Sequence, residues 1–356
     1  MADGWWPSMI SRRIICSGIA ANMGAIPVNR RRFISISAAA IGVGMLPGVS
    51  WAQGGTPLRY WQGAAMGAKA QIQLYGADEA QAEAVFRRCR TEIDRLEGIF
   101  SLYRPQSQIS RLNETGFLDN PPLELLDVMS RCQACWQNSG GAFDITIQPL
   151  WRLYADHFAT AHADPAGPSE ADIRQTLELV GSDKVTLGSR RIELQKPGMG
   201  ISLNGVAQGY ITDRVVALLR AAGFENCLVY MGETYAMGQH DDGRPWTAGI
   251  SSPLRDRKVL ARLPLRDQAL ATSGGYGSPF SDQSRLHHLL DPRSGHSATH
   301  YGSVSVVARD TMTADMLSTA LYVMAPDKRD DIWGKYPALL KAVFVDETGH
   351  LTSYPA

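Results

Sequence analysis

One helix near the C-terminus constrains the fold most, because its sequence requires it to be buried. In the segment 311–324, TMTADMLSTALYVM, the residues after Ser318 are apolar at helical spacing. Asp315 and Thr319 lie four residues apart, so they share one face of a helix. Buried polar side chains need a partner, which is either a hydrogen bond within the core or a hard cation such as Mg²⁺. The sequence therefore predicts a buried helix that carries a polar site.

The overall composition is that of an ordinary globular protein of one or two domains. The chain has 356 residues, of which 44% are hydrophobic and 20% are charged. Its 35 basic residues balance 35 acidic residues, so no net field attracts nucleic acid or anionic lipid. We therefore expect neither a nucleic-acid partner nor direct membrane binding.

The N-terminal region has the pattern of a twin-arginine export signal. Arg30, Arg31 and Arg32 precede an apolar run at 33–46 that is too short to span a bilayer, and small residues follow near Ala52. We interpret 1–52 as a signal region, 53–356 as a single exported domain, and the periplasm as its location. A buried N-terminal helix is the alternative, and translation starting at Met9 or Met23 is also compatible with this pattern.

The cysteines do not form a recognisable metal site. Cys132 and Cys135 fall in a helical pattern, and no second Cys-x-x-Cys pair completes a zinc site. A redox pair would need a strand and turn context that is missing here. We expect two buried helix cysteines.

Helices and strands alternate along the rest of the chain. Strands are predicted at 64–75, 184–187, 191–195, 226–231, 246–251 and 259–263, helices at about 78–100, 123–138, 169–179 and 211–223, and a Gly/Ser/Thr turn at 270–276. Asp78 is the predicted cap of the first helix. By itself this order establishes only that helices and strands alternate along the chain.

Two glycine-containing motifs are candidates for ligand contact. GGAFDITIQPL at 140–150 allows close backbone approach to a ligand, although a helix stop followed by a turn explains it equally well. SLNGVAQGY at 202–210 is a strand-to-helix junction whose amides can face an anion. Glycines at such junctions also serve packing alone.

Taken together, six motifs in order resemble the ApbE family of flavin transferases. They are AAMGA, SLYRPQSQISRLN, GGAFDITIQPL, SLNGVAQGY with TD, ATSGGY, and HLLDPRSG with TADMLSTAL, and they cover about residues 60–350. The resemblance implies an FAD:protein FMN transferase, which moves FMN from FAD to a Thr or Ser hydroxyl of a partner flavoprotein. It also implies an α+β fold related to the T-fold, with mixed sheets, packed helices and a flavin cleft between two halves.

The same resemblance assigns roles to individual residues. The FAD-binding positions are Met66, Tyr103, Ala142, Phe143, Asp144, Ser202, Gln208, Thr272, Ser273 and Leu290. The metal ligands are Asp315, Thr319 and the main-chain carbonyl of Gly205. His288 and Asp291 form a polar pair at the phosphate end.

The chemistry of this reaction is consistent with those residue types. Splitting a pyrophosphate requires charge neutralisation on its oxygens, which bound Mg²⁺ provides. The attacking hydroxyl must lose a proton, so a base is needed, and either His288 or Asp291 can serve. Without the resemblance, Asp291 also fits a turn cap at Pro292, and His288 fits a hydrogen-bonded core histidine.

Two positions depart from the family pattern Asp-Leu-Gly-Gly-Ile-Ala-Lys-Gly-Tyr. Ser202 replaces a carboxylate and Gln208 replaces a lysine, so one negative and one positive charge are lost together, which indicates compensation. This form resembles the NosX branch, whose members carry twin-arginine signals and are associated with flavinylation of the membrane protein NosR. The expected partner is therefore a NosR-like acceptor, with membrane contact only through that partner.

The resulting hypothesis is a Mg²⁺-dependent FAD:protein FMN transferase that releases AMP. Two alternatives remain at this point. A flavin-binding or delivery protein would hold FAD without transferring it, which the changes at Ser202 and Gln208 make plausible. An FAD pyrophosphatase would use water in place of the acceptor hydroxyl.

Overall fold

The computed structural model describes residues 56–254, 256, 258–281 and 285–355 of the chain. The predicted signal region 1–52 lies outside the described residues. The helices are α1 (Glu79–Phe100), α2 (Gln108–Thr115), α3 (Leu123–Asn138), α4 (Gln148–Ala159), α5 (Glu170–Leu177), α6 (Ala207–Ala221), α7 (Thr311–Val323) and α8 (Asp330–Trp333). The strands are β1 (Leu58–Ala65), β2 (Ala68–Tyr75), β3 (Phe117–Asp119), β4 (Val185–Leu187), β5 (Arg191–Leu194), β6 (Cys227–Tyr230), β7 (Thr234–Met237), β8 (Trp246–Ser251), β9 (Val259–Leu265), β10 (Gln268–Gly274), β11 (Ser303–Ala308), β12 (Leu339–Val345) and β13 (Leu351–Tyr354).

One large sheet organises the fold, and the predicted α+β class is confirmed. Its eight strands have the order β1-β2-β6-β7-β10-β11-β12-β13, beside a three-stranded sheet β3-β5-β4 and a two-stranded sheet β8-β9. Every strand pair in the described residues is antiparallel, so the sheets are antiparallel where mixed sheets were expected.

Both faces of the large sheet are buried. Successive residues of its central strands are apolar and face two different cores. On β10 and β11, Ala271 and Val306 face the main core with the helices, whereas their neighbours Leu270 and Val307 face the smaller core with β8 and β9. Because side chains alternate across a strand, apolar residues at successive positions predict a sheet buried on two sides. The helices therefore form one outer layer, and the β8–β9 ribbon forms the other.

The helices begin where their sequences provide caps. Asp78 Oδ1 accepts a hydrogen bond from the Gln81 amide at 2.8 Å, and the Gln81 side chain accepts one from the Asp78 amide at 3.2 Å. This capping box confirms Asp78 as the cap of α1. No helix among the described residues combines the length and the hydropathy needed to cross a membrane.

The helix α7 is buried along almost its whole length, as predicted. Every residue of α7 except Thr319 is buried. It packs between α6 and the strands β10 and β11. The free cysteines Cys132 and Cys135 are buried on α3, which confirms the prediction of two buried helix cysteines.

Two local predictions were wrong or incomplete, and several elements were not predicted. The predicted strand 64–75 is part of a hairpin, because Met66 (φ 50°) and Gly67 (φ 79°) form a turn between β1 and β2. The segment 270–276, predicted as a turn from its Gly, Ser and Thr content, lies mostly in β10, a central strand whose small side chains fit beneath α7. The helices α2, α4 and α8 and the strands β3, β7, β12 and β13 were not predicted.

Candidate active site

Most of the predicted site residues line one cleft beside α7. The cleft is bordered by α7, by β10, by the junction before α6, and by the segments around residues 142–151 and 288–292. The predicted residues in its lining are Ala142, Phe143, Asp144, Ser202, Gly205, Gln208, Thr272, Ser273, His288, Leu290, Asp315 and Thr319. Met66, Tyr103 and Asp291 lie outside this lining.

Oxygen groups cluster where α7 meets β10 and the junction before α6. Asp315 Oδ2 accepts a hydrogen bond from the Gly209 amide at 2.9 Å. The Ser273 hydroxyl lies 3.2 Å from the Thr319 hydroxyl and 2.8 Å from that of Ser318. A Cβ added to Gly205 would lie 3.3 Å from Thr319 Oγ1, so the α6 junction passes directly against this face of α7.

Two buried carboxylates make this end of the cleft strongly acidic. Burial is the main cause that raises the pKa of Asp315 to about 7; the Gly209 hydrogen bond acts against it, and the negative charge of Asp213 adds to it. Burial also raises the pKa of Glu233, with the charge of Asp315 as the second cause. No Lys or Arg side chain is among the described residues that line the cleft.

This donor set fits a hard divalent cation. The described residues hold no group of three or more His, Cys, Asp and Glu suited to a metal. The cluster instead offers carboxylate and hydroxyl oxygens beside the backbone of Gly205, which are ligand types that Mg²⁺ takes while keeping several waters. A cation would also relieve the uncompensated charge of Asp315.

His288 faces the cleft in a form suited to accept a proton. Its Nδ1 lies 3.2 Å from the Ser278 carbonyl oxygen, which also accepts from the His288 amide at 3.2 Å. Since a carbonyl can only accept, Nδ1 carries the proton and Nε2 is the basic nitrogen. Burial, followed by the neighbouring His287, lowers the pKa of His288 to about 4, so the ring is neutral near pH 7.

Asp291 is occupied by its own turn. Its carboxylate accepts hydrogen bonds from the Arg293 amide at 2.9 Å, from Arg293 Nε at 2.8 Å and from a terminal guanidinium nitrogen at 2.8 Å. This bidentate pair satisfies both oxygens. Of the two predicted candidates for the base, the structure brings only His288 to the cleft.

Asp144 lines the cleft, and its carboxylate is held by four hydrogen bonds from neighbouring residues. It accepts hydrogen bonds from the Thr146 amide at 2.8 Å and hydroxyl at 2.7 Å, and from the Ser182 amide at 3.0 Å and hydroxyl at 2.7 Å. The Ser202 amide donates to the Ile145 carbonyl at 2.7 Å. These bonds fix the 142–147 wall against the segment that contains Ser202.

Met66 and Tyr103 lie close to each other but apart from the cleft lining. The Met66 amide donates to Glu97 Oε1 at 2.5 Å, and a Cβ on Gly67 would lie 3.9 Å from Tyr103 Cε2. Tyr103 is 53% exposed. The two residues therefore lie together at the β1–β2 turn, where Met66 is buried and Tyr103 is exposed.

The lining also includes residues that the sequence did not predict. Glu233 is the most important, since it is an acidic side chain that is only 5% exposed. Its signal was available, because it is the only acidic residue in the otherwise apolar segment VYMGETYAM at 229–237. The side-chain amide of Gln208 lies against Gly232, the residue before Glu233, in the space that a Cβ on that glycine would take. Gly232 also has a φ of +104°, so only glycine fits at this position. The apolar residues Trp151 and Val323 complete the wall.

Comparison with known proteins points to one family. The model of the ApbE family matches residues 66–344. A protein of Klebsiella pneumoniae (strain 342) named FAD:protein FMN transferase is 32% identical over 274 residues, which are 74% of this chain and 81% of the relative. A protein of Haemophilus influenzae with the same name is 27% identical over 290 residues, 78% of this chain and 83% of the relative.

Solved structures give the same result. The fold is similar to that of the flavinyl transferase ApbE from Pseudomonas stutzeri in its apo form, with a TM-score of 0.71, 26% identity, and coverage of 85% of this chain and 96% of the other. The ApbE protein of Thermotoga maritima gives a TM-score of 0.72 at 26% identity, covering 83% of this chain and 96% of the other.

Proposed function

Because the chain belongs to the ApbE family, we propose that it is an FAD:protein FMN transferase. In this proposal it transfers FMN from FAD to a Thr or Ser hydroxyl of a partner flavoprotein and releases AMP, in a Mg²⁺-dependent reaction. The observation that carries the proposal is the single cleft that holds both the neutral His288 and the oxygen groups of Asp315 and Thr319.

The proposed reaction is a phosphoryl transfer with one proton to remove. The acceptor hydroxyl attacks the phosphorus on the FMN side of the FAD pyrophosphate, and the bond from that phosphorus to the bridging oxygen breaks, so AMP leaves with the bridging oxygen. His288 Nε2 takes the hydroxyl proton, and the hydrogen bond from Nδ1 to the Ser278 carbonyl keeps the ring in the required tautomer and orientation.

The cation has a definite set of candidate ligands. Asp315, Thr319 and the main-chain carbonyl of Gly205 would hold Mg²⁺, and the Gly209 amide orients the Asp315 carboxylate by its 2.9 Å hydrogen bond. When bound, Mg²⁺ supplies positive charge that neutralises the pyrophosphate oxygens. Ser273 supports the site by its hydrogen bond to the Thr319 hydroxyl.

The acceptor and the compartment are further parts of the proposal. The resemblance of 202–213 to the NosX branch supports a NosR-like acceptor, which would bring the enzyme to the membrane through that partner alone. The twin-arginine pattern at 30–52 supports action in the periplasm.

The test is a flavinylation assay with the mature chain. The chain is incubated with FAD, MgCl₂ and a NosR-like acceptor domain, and the acceptor is examined for in-gel flavin fluorescence while AMP is measured by chromatography. A fluorescent acceptor and an equal amount of AMP are expected, and the Asp315→Ala variant should produce neither.

Other outcomes separate the alternatives. AMP and free FMN formed without any acceptor would identify an FAD pyrophosphatase. FAD binding without AMP, while a reference transferase modifies the same acceptor, would identify a flavin-delivery protein and refute the transferase proposal.

A further inference from the structure

The helices α6 and α7 are held together at three levels, each one helical turn from the next. At the first level, the junction at Gly205 lies against Thr319, whose hydroxyl would be 3.3 Å from a Cβ added to that glycine. At the second, the Gly209 amide donates to Asp315. At the third, Asp213 accepts from the amide of Thr311. Residue numbers rise along α6 as they fall along α7, so the two helices run antiparallel in one fixed register.

Asp213 forms the polar connection at the far end of this pair. Its Oδ1 accepts from the Thr311 amide at 2.7 Å, and its Oδ2 accepts from the Met312 amide at 2.9 Å. These are the first two amides of α7, which no carbonyl within a helix can satisfy. A carboxylate at this position also interacts favourably with the positive end of the helix dipole.

The middle of the helix pair is a close contact at Gly209. A Cβ on Gly209 would lie 2.6 Å from the Thr311 carbonyl oxygen and 2.8 Å from Met312 Cα, so the two backbones touch where α6 has no side chain. Asp315 Cβ would also lie 2.8 Å from that Cβ, so the Asp315 side chain packs over Gly209 and opposes sliding along the helix axis. The hydrogen bonds to Asp315 and Asp213 oppose sliding as well.

We propose that Asp213 is a positioning residue that fixes the register of α7 against α6 and thereby places Asp315 and Thr319 relative to Gly205. It does not line the cleft, so its hydrogen bonds reach the oxygen groups only through α7, while its charge also acts on Asp315. The proposal deepens the proposed function, on which it rests for the use of these groups as cation ligands.

The chain offers a matched control on the same helix end. Asp310 is the N-cap of α7 and accepts from the Thr313 amide at 2.9 Å. It stabilises the same terminus as Asp213 but belongs to the chain just before α7, and its other partner is Arg131 on α3. Replacing Asp310 removes cap energy without breaking the connection to α6.

The experiment measures binding of Mn²⁺ alone, by the electron paramagnetic resonance signal of the free ion, to the mature chain without FAD. Mn²⁺ takes the same oxygen ligands as Mg²⁺. We expect Asp213→Asn to raise the Kd for Mn²⁺ about 10–100-fold, the range for residues that support metal ligands, and Asp310→Asn to leave it within about twofold. Thermal melting measures the stability of both variants.

The inference is overturned if Asp213→Asn lowers the melting temperature but binds Mn²⁺ like the wild type, or if both variants lose affinity equally. If Asp213→Asn does not fold, Asp213→Glu replaces it, since it keeps the charge at the end of α7 but is one methylene too long for the observed contacts. Wild-type Mn²⁺ affinity of Asp213→Glu would then refute the register role.

The outcome is distinguishable from failure of the proposed function. A wild-type chain that transfers no FMN, but whose Mn²⁺ affinity falls in Asp213→Asn and not in Asp310→Asn, keeps the register inference and refutes the transferase. If the wild-type chain transfers FMN and Asp213→Asn binds Mn²⁺ with unchanged affinity, the transferase proposal stands and the register inference is refuted.

Discussion

Cation binding to this protein should depend on pH because the cation competes with a proton on Asp315. Burial raises the pKa of that carboxyl to about 7 in the cation-free protein, so it is largely protonated at pH 6 and largely ionised at pH 8. A carboxylate must lose its proton to bind a cation. The affinity for Mg²⁺ should therefore rise as pH rises through 7.

The size of the effect follows from the competition. The proton multiplies the apparent Kd by a factor equal to one plus the ratio of protonated to ionised carboxyl. For a pKa of about 7, this factor is about 11 at pH 6 and about 1.1 at pH 8. Mg²⁺ should thus bind about tenfold more tightly at pH 8 than at pH 6. The raised pKa of Glu233 acts in the same direction and makes the dependence steeper.

The stability of the cation-free protein should fall as pH rises, whereas its affinity for Mg²⁺ should rise. The pKa of Asp315 is higher in the folded than in the unfolded chain, so its contribution to stability is fully present below the unfolded value and is lost as pH rises through about 7. The gap in melting temperature between Mg²⁺-loaded and Mg²⁺-free protein should therefore widen from pH 6 to pH 8.

Isothermal titration with MgCl₂ at pH 6, 7 and 8 measures both the affinity and the proton release, when it is repeated in buffers of different ionisation enthalpy. The Asp315→Asn variant is the control, since it has no carboxyl to titrate at this position. Equal Kd values at pH 6 and pH 8 with no proton release would refute the assignment of Asp315 as a buried cation ligand.

Three substitutions test other parts of the structure. Replacing His288 with Asn should lower kcat about 10²–10⁴-fold, the usual contribution of a general base, with FAD affinity by fluorescence titration changed only a few-fold. Asp291→Asn should have a much smaller effect on kcat, because Arg293 already holds that carboxylate outside the cleft; an equal loss would make Asp291 the base. Leu74 is fully buried on β2, so Leu74→Ala should lower the free energy of unfolding by about 2–5 kcal/mol in a denaturant titration. Mg²⁺ affinity should not change. A loss below about 1 kcal/mol would contradict the place of Leu74 in the core.

The parts of the fold that the sequence predicted are those with strong local signals. The cap residue Asp78 and the apolar run after Ser318 correctly predicted the start of α1 and the burial of α7, because caps and helical periodicity act within a few residues. The β1–β2 turn was missed because Met66 adopts a positive φ, which no residue preference signals for methionine. The strand β10 was read as a turn because its small side chains are selected by the space beneath α7, a tertiary constraint.

The candidate site was predicted in the same uneven way. The family motifs named most of the cleft residues, since a motif records residues that are distant in the chain but close in the fold. They gave no indication that Asp291 pairs with Arg293, or that Glu233 joins Asp315 at the acidic end. Both facts depend on side-chain packing, which neither periodicity nor motif order contains.

The order of strands in the large sheet determines when the active cleft exists during synthesis. The strand β2 pairs with β6, and the whole stretch from Tyr75 to Cys227 lies between these two strands in the chain. Pairing of such distant segments is slow and cannot begin until β6 has left the ribosome. The cleft also needs α7, which comes still later, so the cleft cannot form until the chain has been synthesised through Val323.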